Sequence, residues 1–313
     1  MPPRKKHKGA PPVCATDHIG TLPDHMLHHL LSFLPAQAAV RTCVLTRRWR
    51  DLWRSATGLR IVGLDDDEMP VQAQDLRKFV DYLLVLRERT DLDTVEIRFD
   101  TFLEEDIPYV NLWVRSAVMC KVRVLTLHVC GDIEYLCLDD LRLVSQHVRT
   151  LDLQGVALHN TFLDFARCPA LEDLKMVNCL INANKISSRS LKHLSITDCR
   201  SDLDCRICVS APGLISLELD AFDGSTPFLQ NMALLETAFV YIGKDCHDVC
   251  LNYESGVFCG ANDTTCKNCV PISDDCNSGC VLLGGISSAK HLKLTSAIGK
   301  VLPLEKLVFT SSS

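Results

Sequence analysis

One short pattern returns so often along this chain that it constrains the fold more than any other feature. It reads VRVLTLHVC from Val122, VRTLDLQGV from Val148, LEDLKMVNC from Leu171, LKHLSITDC from Leu191 and LISLELDAF from Leu214. A later copy, AKHLKLTSA, starts at Ala289, while TVEIRFD from Thr94 and LLETAFVYI from Leu234 are degraded copies. The five clear copies start 26, 23, 20 and 23 residues apart, within the range of solenoid repeats. Alternation inside each copy predicts a short strand whose apolar side chains, such as Leu125 and Leu127 or Leu194 and Ile196, point inward. No single copy can bury them, so neighbouring coils must stack into one continuous core.

The opposite face of the same strands carries Thr126 and His128; Thr150, Asp152 and Gln154; Asp173, Lys175 and Val177; His193, Ser195 and Thr197; Ser216, Glu218 and Asp220. This face is expected to be polar, mixed in charge and without aromatic side chains. Such a row suits the surface of another protein better than an apolar small molecule, which needs a hydrophobic pocket. The candidate target-binding residues are Thr126, His128, Asp152, Gln154, Lys175, His193, Ser195, Glu218 and Asp220; the bland alternative is an ordinary solvated sheet face. Three copies end in Cys130, Cys179 and Cys199. A small side chain with a weak donor suits a buried turn, so these thiols are expected to be structural.

A different logic governs the region before the repeats. The chain is poor in aromatic residues (6%), yet two of its three tryptophans stand four residues apart in VLTRRWRDLW, residues 44–53. On a helix Trp49, Leu52 and Trp53 form one apolar stripe, with Arg47, Arg48 and Asp51 around it. From Asp24, an N-cap candidate, Met26, Leu27, Leu30, Leu31 and Leu34 repeat at helical spacing until Pro35. A second short helix is expected over 36–43, and Thr46 can cap a third that carries the tryptophans. Three short helices bury too little surface to be comfortable alone, so this unit must lean on the downstream domain or on a partner. His25, His28 and His29 share a helix face at zinc-ligand spacing, but no Glu stands between them as in H-E-x-x-H, and a solvated face is expected instead.

Residues 22–55, LPDHMLHHLLSFLPAQAAVRTCVLTRRWRDLWRS, resemble an F-box of the kind found in the large plant F-box families. The match rests on Leu22, Pro23 and Asp24, on the LLSFLP helix end, and on the run VRTCVL leading to Arg47, Arg48, Trp49 and Trp53. The resemblance implies docking on the Skp adaptor of an SCF-type (cullin-RING) ubiquitin ligase, with the rest of the chain selecting what is ubiquitinated. Carried over by position, Leu22, Pro23, Leu27, Leu30, Leu31, Leu34, Pro35, Val40, Val44, Leu45 and Trp49 supply the adaptor interface or the helices that shape it. The repeats likewise resemble those of plant F-box/leucine-rich-repeat proteins of the FBD-associated type, which implies an α/β fold: a three-helix F-box followed by a right-handed α/β horseshoe solenoid. The stretch YVNLWVRSAV, residues 109–118, looks like a helix typical of that group, with Trp113 in the core. The chain stops in LEKLVFTSSS after what reads as half a repeat, whereas such proteins often continue into an FBD-type region, so a shortened or divergent member is expected.

The expected organisation is a basic disordered tail over 1–16, the F-box over 17–56, a connecting helical segment over 57–90 and the solenoid over 91–313, with a Cys-rich insert at about 243–285. That insert holds seven cysteines between Cys246 and Cys280. The pairs Cys246/Cys250, Cys266/Cys269 and Cys276/Cys280 bring sulfurs close enough to chelate zinc, but free thiols in a loop are the preferred expectation, with redox pairing a minor alternative. No cofactor is expected. The formal net charge of -6 argues against a general nucleic-acid binder. Apolar runs are too short for a membrane helix, and no apolar segment follows the basic start to make a secretory signal. The compartment is therefore expected to be intracellular, nucleus and/or cytoplasm, with the seventeen cysteines mostly free. Lys5, Lys6, His7 and Lys8 have the compact form read by importin-type receptors, or belong to a solvated tail.

No nucleophile elbow, P-loop, zinc-protease or dinucleotide motif is present, so a non-catalytic role is expected. The leading expectation is a ligase substrate receptor bound to the Skp adaptor, and through it to cullin and RING subunits, with an unidentified target protein. The rival is a repeat scaffold or inhibitor not coupled to ubiquitination.

Overall fold

The computed structural model describes residues 21–63, 71–131, 134–138, 142–201, 206–243, 246–247 and 281–296. The basic tail and nearly all of the Cys-rich insert, with its possible metal ligands, lie outside the described residues.

Alternating side chains and repeated spacing produce a nine-stranded parallel sheet whose order follows the sequence: β1 (Gly58–Val62), β2 (Thr94–Phe99), β3 (Val124–Val129), β4 (Thr150–Gln154), β5 (Asp173–Val177), β6 (His193–Thr197), β7 (Ser216–Asp220), β8 (Thr237–Ile242) and β9 (His291–Ser296). The register places like positions side by side. Leu59, Val95, Leu125, Leu151, Leu174, Leu194, Leu217, Ala238 and Leu292 form one inner row. Ile61, Ile97, Leu127, Leu153, Met176, Ile196, Leu219, Val240 and Leu294 form the next. From β1 to β8 these side chains are buried, because each strand covers the apolar flank of its neighbour. The segment expected to be a connector over 57–90 thus contributes the first strand of this sheet, built on the alternation of Leu59 and Ile61.

Repeat length decides what lies behind the sheet. The register partners Gly58, Thr94 and Val124 stand 36 and 30 residues apart, enough for a full helix in each crossover. There α3 (Ala73–Leu86) buries Ala73, Leu76, Val80 and Leu83, and α4 (Ile107–Met119) buries Val110, Trp113, Val114 and Ala117. Both sets follow helical spacing, and both pack on the sheet's inner face. From β4 to β8 the interval shrinks to 20–23 residues. These coils are backed by short strands instead: Leu136–Cys137, Val156–His159 and Leu180–Asn182 in one small sheet, and Lys185–Ser187, Cys208–Ser210 and Phe228–Gln230 in another. The expected α/β character therefore holds as a mixture of helix and strand, with α-helices confined, among the described residues, to the two ends of the stack. Before β9 lies the short α5 (Val281–Ile286), and β9 pairs with β8 in register although His291 is 54 residues beyond Thr237. The pairing of β8 with β9 is thus kept across that interval.

The turn leaving four successive strands is left-handed, at Gly155, Asn178, Asp198 and Ala221. Asn and Asp tolerate this conformation and Gly has no penalty there. At Gly155 a Cβ would also stand 2.4 Å from the Val129 carbonyl oxygen. The next residue in each coil, Val156, Cys179, Cys199 and Phe222, is buried.

The N-terminal unit comprises α1 (Asp24–Ser32), α2 (Ala36–Arg41) and three 3₁₀ turns at Thr42–Val44, Arg48–Arg50 and Leu52–Ser55. The expected third α-helix is absent; two of the short turns carry the tryptophans. A three-residue period brings Trp49 and Leu52 to one buried side as well as an α-helix does. Pro23, with an extended backbone, is the α1 N-cap, and Asp24 is the first helical residue. The Asp24 carboxylate accepts a hydrogen bond from Arg48 Nε at 2.9 Å, and the same guanidinium reaches the Leu22 carbonyl, so Asp24 ties the helix start to the second 3₁₀ turn.

This unit is fixed to the sheet at close quarters. A Cβ at Gly58 would fall 2.4 Å from Ser32 Cβ, so α1 approaches β1 as only glycine permits. Arg87, largely desolvated at the end of α3, donates to the carbonyls of Trp53 (3.2 Å) and Ala56 (2.6 Å). Burial lowers its pKa from the usual guanidinium value, with the two carbonyls accepting its charge-assisted bonds.

Candidate functional site

The apolar residues of α1 form two adjacent stripes, and only one is used internally. Leu27 and Leu31 are 0% and 1% exposed and pack with Ala39, Trp49, Leu52 and Ala56 in a small core, with Leu22 and Trp53 half-buried against it. Met26, Leu30 and Leu34 emerge on the other stripe, together with Phe33 at 59% exposure. Val44, 83% exposed, and Leu45 project from the turn after α2. The structure thereby sorts the eleven sequence candidates. Leu27, Leu31 and Trp49 lie inside; Leu22, Pro35 and Val40 are half-buried; Pro23, Leu30, Leu34, Val44 and Leu45 face outward.

Two outward residues were not among the candidates. Phe33 and Met26 stand seven apart and extend the Leu30 and Leu34 stripe, a signal present in the helical periodicity itself. Two of the three histidines make other contacts: His28 Nε2 lies 3.2 Å from Ser55 Oγ, and the His29 ring meets Phe33 edge-on at 4.8 Å. Among the described residues no group of His, Cys, Asp and Glu side chains could hold a metal ion.

The second surface is the outward face of the sheet. Its central row runs Arg60, Glu96, Thr126, Asp152, Lys175, Ser195, Glu218, Phe239 and Lys293. Beside it run Val62, Arg98, His128, Gln154, Val177, Thr197, Asp220, Tyr241 and Thr295. His193 heads its strand in a third row, between Asp173 and Ser216. All nine sequence candidates therefore share one face. The expectation that this face lacks aromatics is overturned by Phe239 and Tyr241. In β8 the inner positions are taken by Ala238 and Val240, which leaves the rings on the outward side.

Much of this face is knitted to itself. Glu96 pairs with Arg60 at 2.7 Å and Arg98 at 3.4 Å, His128 Nε2 lies 3.1 Å from Asp152, and Ser195 Oγ donates to Glu218 at 2.8 Å. Burial acts to raise the pKa of Asp152, but the His128 contact and the charges of Lys175 and Arg98 prevail and hold it below the usual carboxylate value. These links fix the rotamers of the row, so it presents a pre-organised pattern of charge.

Cys179 and Cys199 are buried free thiols on adjacent coils. Cys179 Sγ donates to the Val177 carbonyl at 3.3 Å, Cys199 Sγ to the Thr197 carbonyl at 3.3 Å, and Cys179 N–H donates to Cys199 Sγ at 3.4 Å. Contact with Cys179, reinforced by burial, pushes the Cys199 thiol well above its ordinary value, which keeps it protonated. Cys130, at the equivalent position, is only half-buried.

Comparison with known proteins agrees with both regions. The F-box domain family matches residues 19–58. An F-box/FBD/LRR-repeat protein of Arabidopsis thaliana is 26% identical over 96% of this chain, and a second is 29% identical over 68%. The meiotic F-box protein MOF of Oryza sativa subsp. japonica is 29% identical over 65%. The matches span 69%, 52% and 46% of these three relatives' own lengths. No helix among the described residues is long and apolar enough to cross a membrane. With a match to the F-box domain at its start and a leucine-patterned parallel stack behind it, this chain is similar to the F-box/FBD/LRR-repeat proteins of plants.

Proposed function

We propose that the chain is the substrate-recognition subunit of an SCF-type (cullin-RING) E3 ubiquitin ligase. The F-box unit docks on the Skp adaptor, and through it on the cullin and RING subunits, while the outward face of the leucine-rich stack, read as a horseshoe solenoid, holds a target protein. The chain performs no chemistry itself in this reading. Holding a target beside the ligase's own enzyme makes ubiquitin transfer nearly intramolecular, and the gain is one of effective concentration. Such a receptor is expected to work in the nucleus or cytoplasm.

The observation that carries the reading is the unused apolar stripe of α1, with Val44 and Leu45, on a segment that matches the F-box family. Burying an exposed Leu or Val side chain contributes about 1.5–3 kcal/mol each, which is enough to anchor a protein interface on a few residues. Because Leu31 and Trp49 lie in the unit's own core, the informative substitutions are at the surface. Leu30→Glu with Val44→Glu is expected to weaken adaptor binding by at least about 100-fold in a co-purification or calorimetric assay, with the thermal midpoint of the isolated chain nearly unchanged. Adaptor binding that survives this pair would favour the rival reading, a repeat scaffold or inhibitor not coupled to ubiquitination.

A further inference from the structure

The two ends of the outward face differ in chemistry. Between β1 and β4 the charged side chains are tied to neighbours: Arg60 and Arg98 pair with Glu96, and Asp152 lies within hydrogen-bond reach of His128. At β7 and β8 the pattern changes. Glu218 stands beside Phe239 and Asp220 beside Tyr241 in the register, so two carboxylates line up against two aromatic rings on neighbouring strands. Strands in a sheet lie about 4.8 Å apart, so one side chain laid over this corner can touch a ring and a carboxylate at once. Glu218 accepts a hydrogen bond from the neutral Ser195 and keeps its charge uncompensated by that contact. The Asp220 side chain has no ion-pair partner among the described residues.

A cation already shows how the corner is read. Lys293, on the next strand, holds its ammonium 4.6 Å from the centroid of the Phe239 ring. The Phe239 ring thus already accepts positive charge on one face. Lys293 approaches from the β9 side, whereas the carboxylates lie on the β7 side of the same rings. A second cation entering from the β7 side meets Glu218 and Asp220 rather than Lys293.

We propose that the corner formed by Glu218, Asp220, Phe239 and Tyr241 receives a basic side chain, arginine or lysine, from an extended segment of the bound protein. The inference rests on the reading of the outward face as the target-binding surface and adds the class of target: a protein that offers a basic segment. Arginine is the better occupant. Its planar guanidinium stacks on an aromatic face while its N–H edge donates to a carboxylate, two contacts that lysine makes only in part.

The test uses the full chain, co-purified with its adaptor, and a phage-displayed library of random 16-residue peptides. Selection on the native chain is expected to enrich peptides with Arg or Lys at a shared position. Synthetic copies of the selected peptides are expected to bind Glu218→Gln/Asp220→Asn about tenfold more weakly, since two charge-assisted contacts become neutral ones. That pair preserves side-chain shape, and Phe239→Leu/Tyr241→Leu supplies an independent variant that removes the rings and keeps apolar bulk. Thermal midpoints confirm that each variant folds. Selected peptides without a shared basic residue, or with undiminished affinity for both variants, overturn the proposal, as does a selection that yields no binding peptide. A third variant, Lys175→Glu/His193→Ala, separates the two levels of argument. If binding is lost there and kept at the corner, the outward face still binds targets and only the corner assignment falls. If binding survives all three variants, the face itself is not the binding surface.

Discussion

The N-terminal unit and the strand stack solve the same problem, burial of leucine, with opposite outcomes. Between Val124 and Ile242 nearly every large apolar side chain is inside, and among the described residues of that span only Val144 and Leu234 are exposed in quantity. In the twenty residues from Met26 to Leu45, six large apolar side chains face outward: Met26, Leu30, Phe33, Leu34, Val44 and Leu45. The stack hides its leucines because each coil has a neighbour on both sides. The helical unit has only its own six-residue core and the β1 edge of the sheet, so it cannot hide all of its own. The apolar surface left outside the helical unit is the surface the proposed adaptor contact would use, whereas the outward face of the stack carries charge, hydroxyls and, at one end, two rings.

The contrast is broken most directly by truncating one residue from each side of it. Ile196→Ala, in the middle of the inner row, is expected to lower stability by about 2–5 kcal/mol, because the neighbouring coils are held in register and cannot collapse into the space. Leu30→Ala, on the outer stripe of α1, is expected to change stability by less than about 0.5 kcal/mol while weakening adaptor binding. Urea denaturation of the two variants checks the pair; equal losses would mean that the α1 stripe is internal after all.

The junction comes next. Gly58→Ala forces Ser32 and the end of α1 away from β1 and is expected to cost about 1–3 kcal/mol, read as early proteolytic cleavage between the helical unit and the sheet. Cleavage patterns like those of the native chain would show that the unit can shift without strain. The smallest effect concerns acid. Asp152 has a depressed pKa in the folded chain, so the unfolded chain binds more protons in that range. The contribution of Asp152 is therefore present above the ordinary carboxylate value of about 3.9 and is lost as pH falls through its lower folded value. Asp152→Asn is expected to flatten the fall in stability below about pH 4, measured by thermal unfolding against pH; an unchanged slope would remove the His128 contact as its cause.

Reading the sequence succeeded where one period is enough. Period two placed all five clear copies in strands, and the nine outward candidates do share a face, because alternation assigns each side chain to a side without knowledge of the neighbours. It failed where two conformations share a period. Trp49 and Leu52, three apart, satisfy an α-helix and a pair of 3₁₀ turns equally, and Asp51, with φ -115° between the turns, interrupts what looked continuous. The strand at Gly58–Val62 was passed over because a single five-residue alternation carries little weight until its partner strand is known. Phe239 and Tyr241 were missed for a related reason: a copy whose inner positions are Ala and Val looks degraded, although its phase is intact.

The sequence by itself determined which side chains alternate, how far apart the coils recur, and that residues 22–55 form a short helical unit, since these are local properties of spacing and residue type. Tertiary structure alone decided which apolar residues of that unit are core and which remain outside. Leu27 and Leu30, or Leu31 and Leu34, are indistinguishable by hydrophobicity and lie within a turn of each other. Burial depends on what else the chain brings to each side, and on one side of α1 it brings Trp49 and Leu52, while on the other nothing among the described residues covers the stripe.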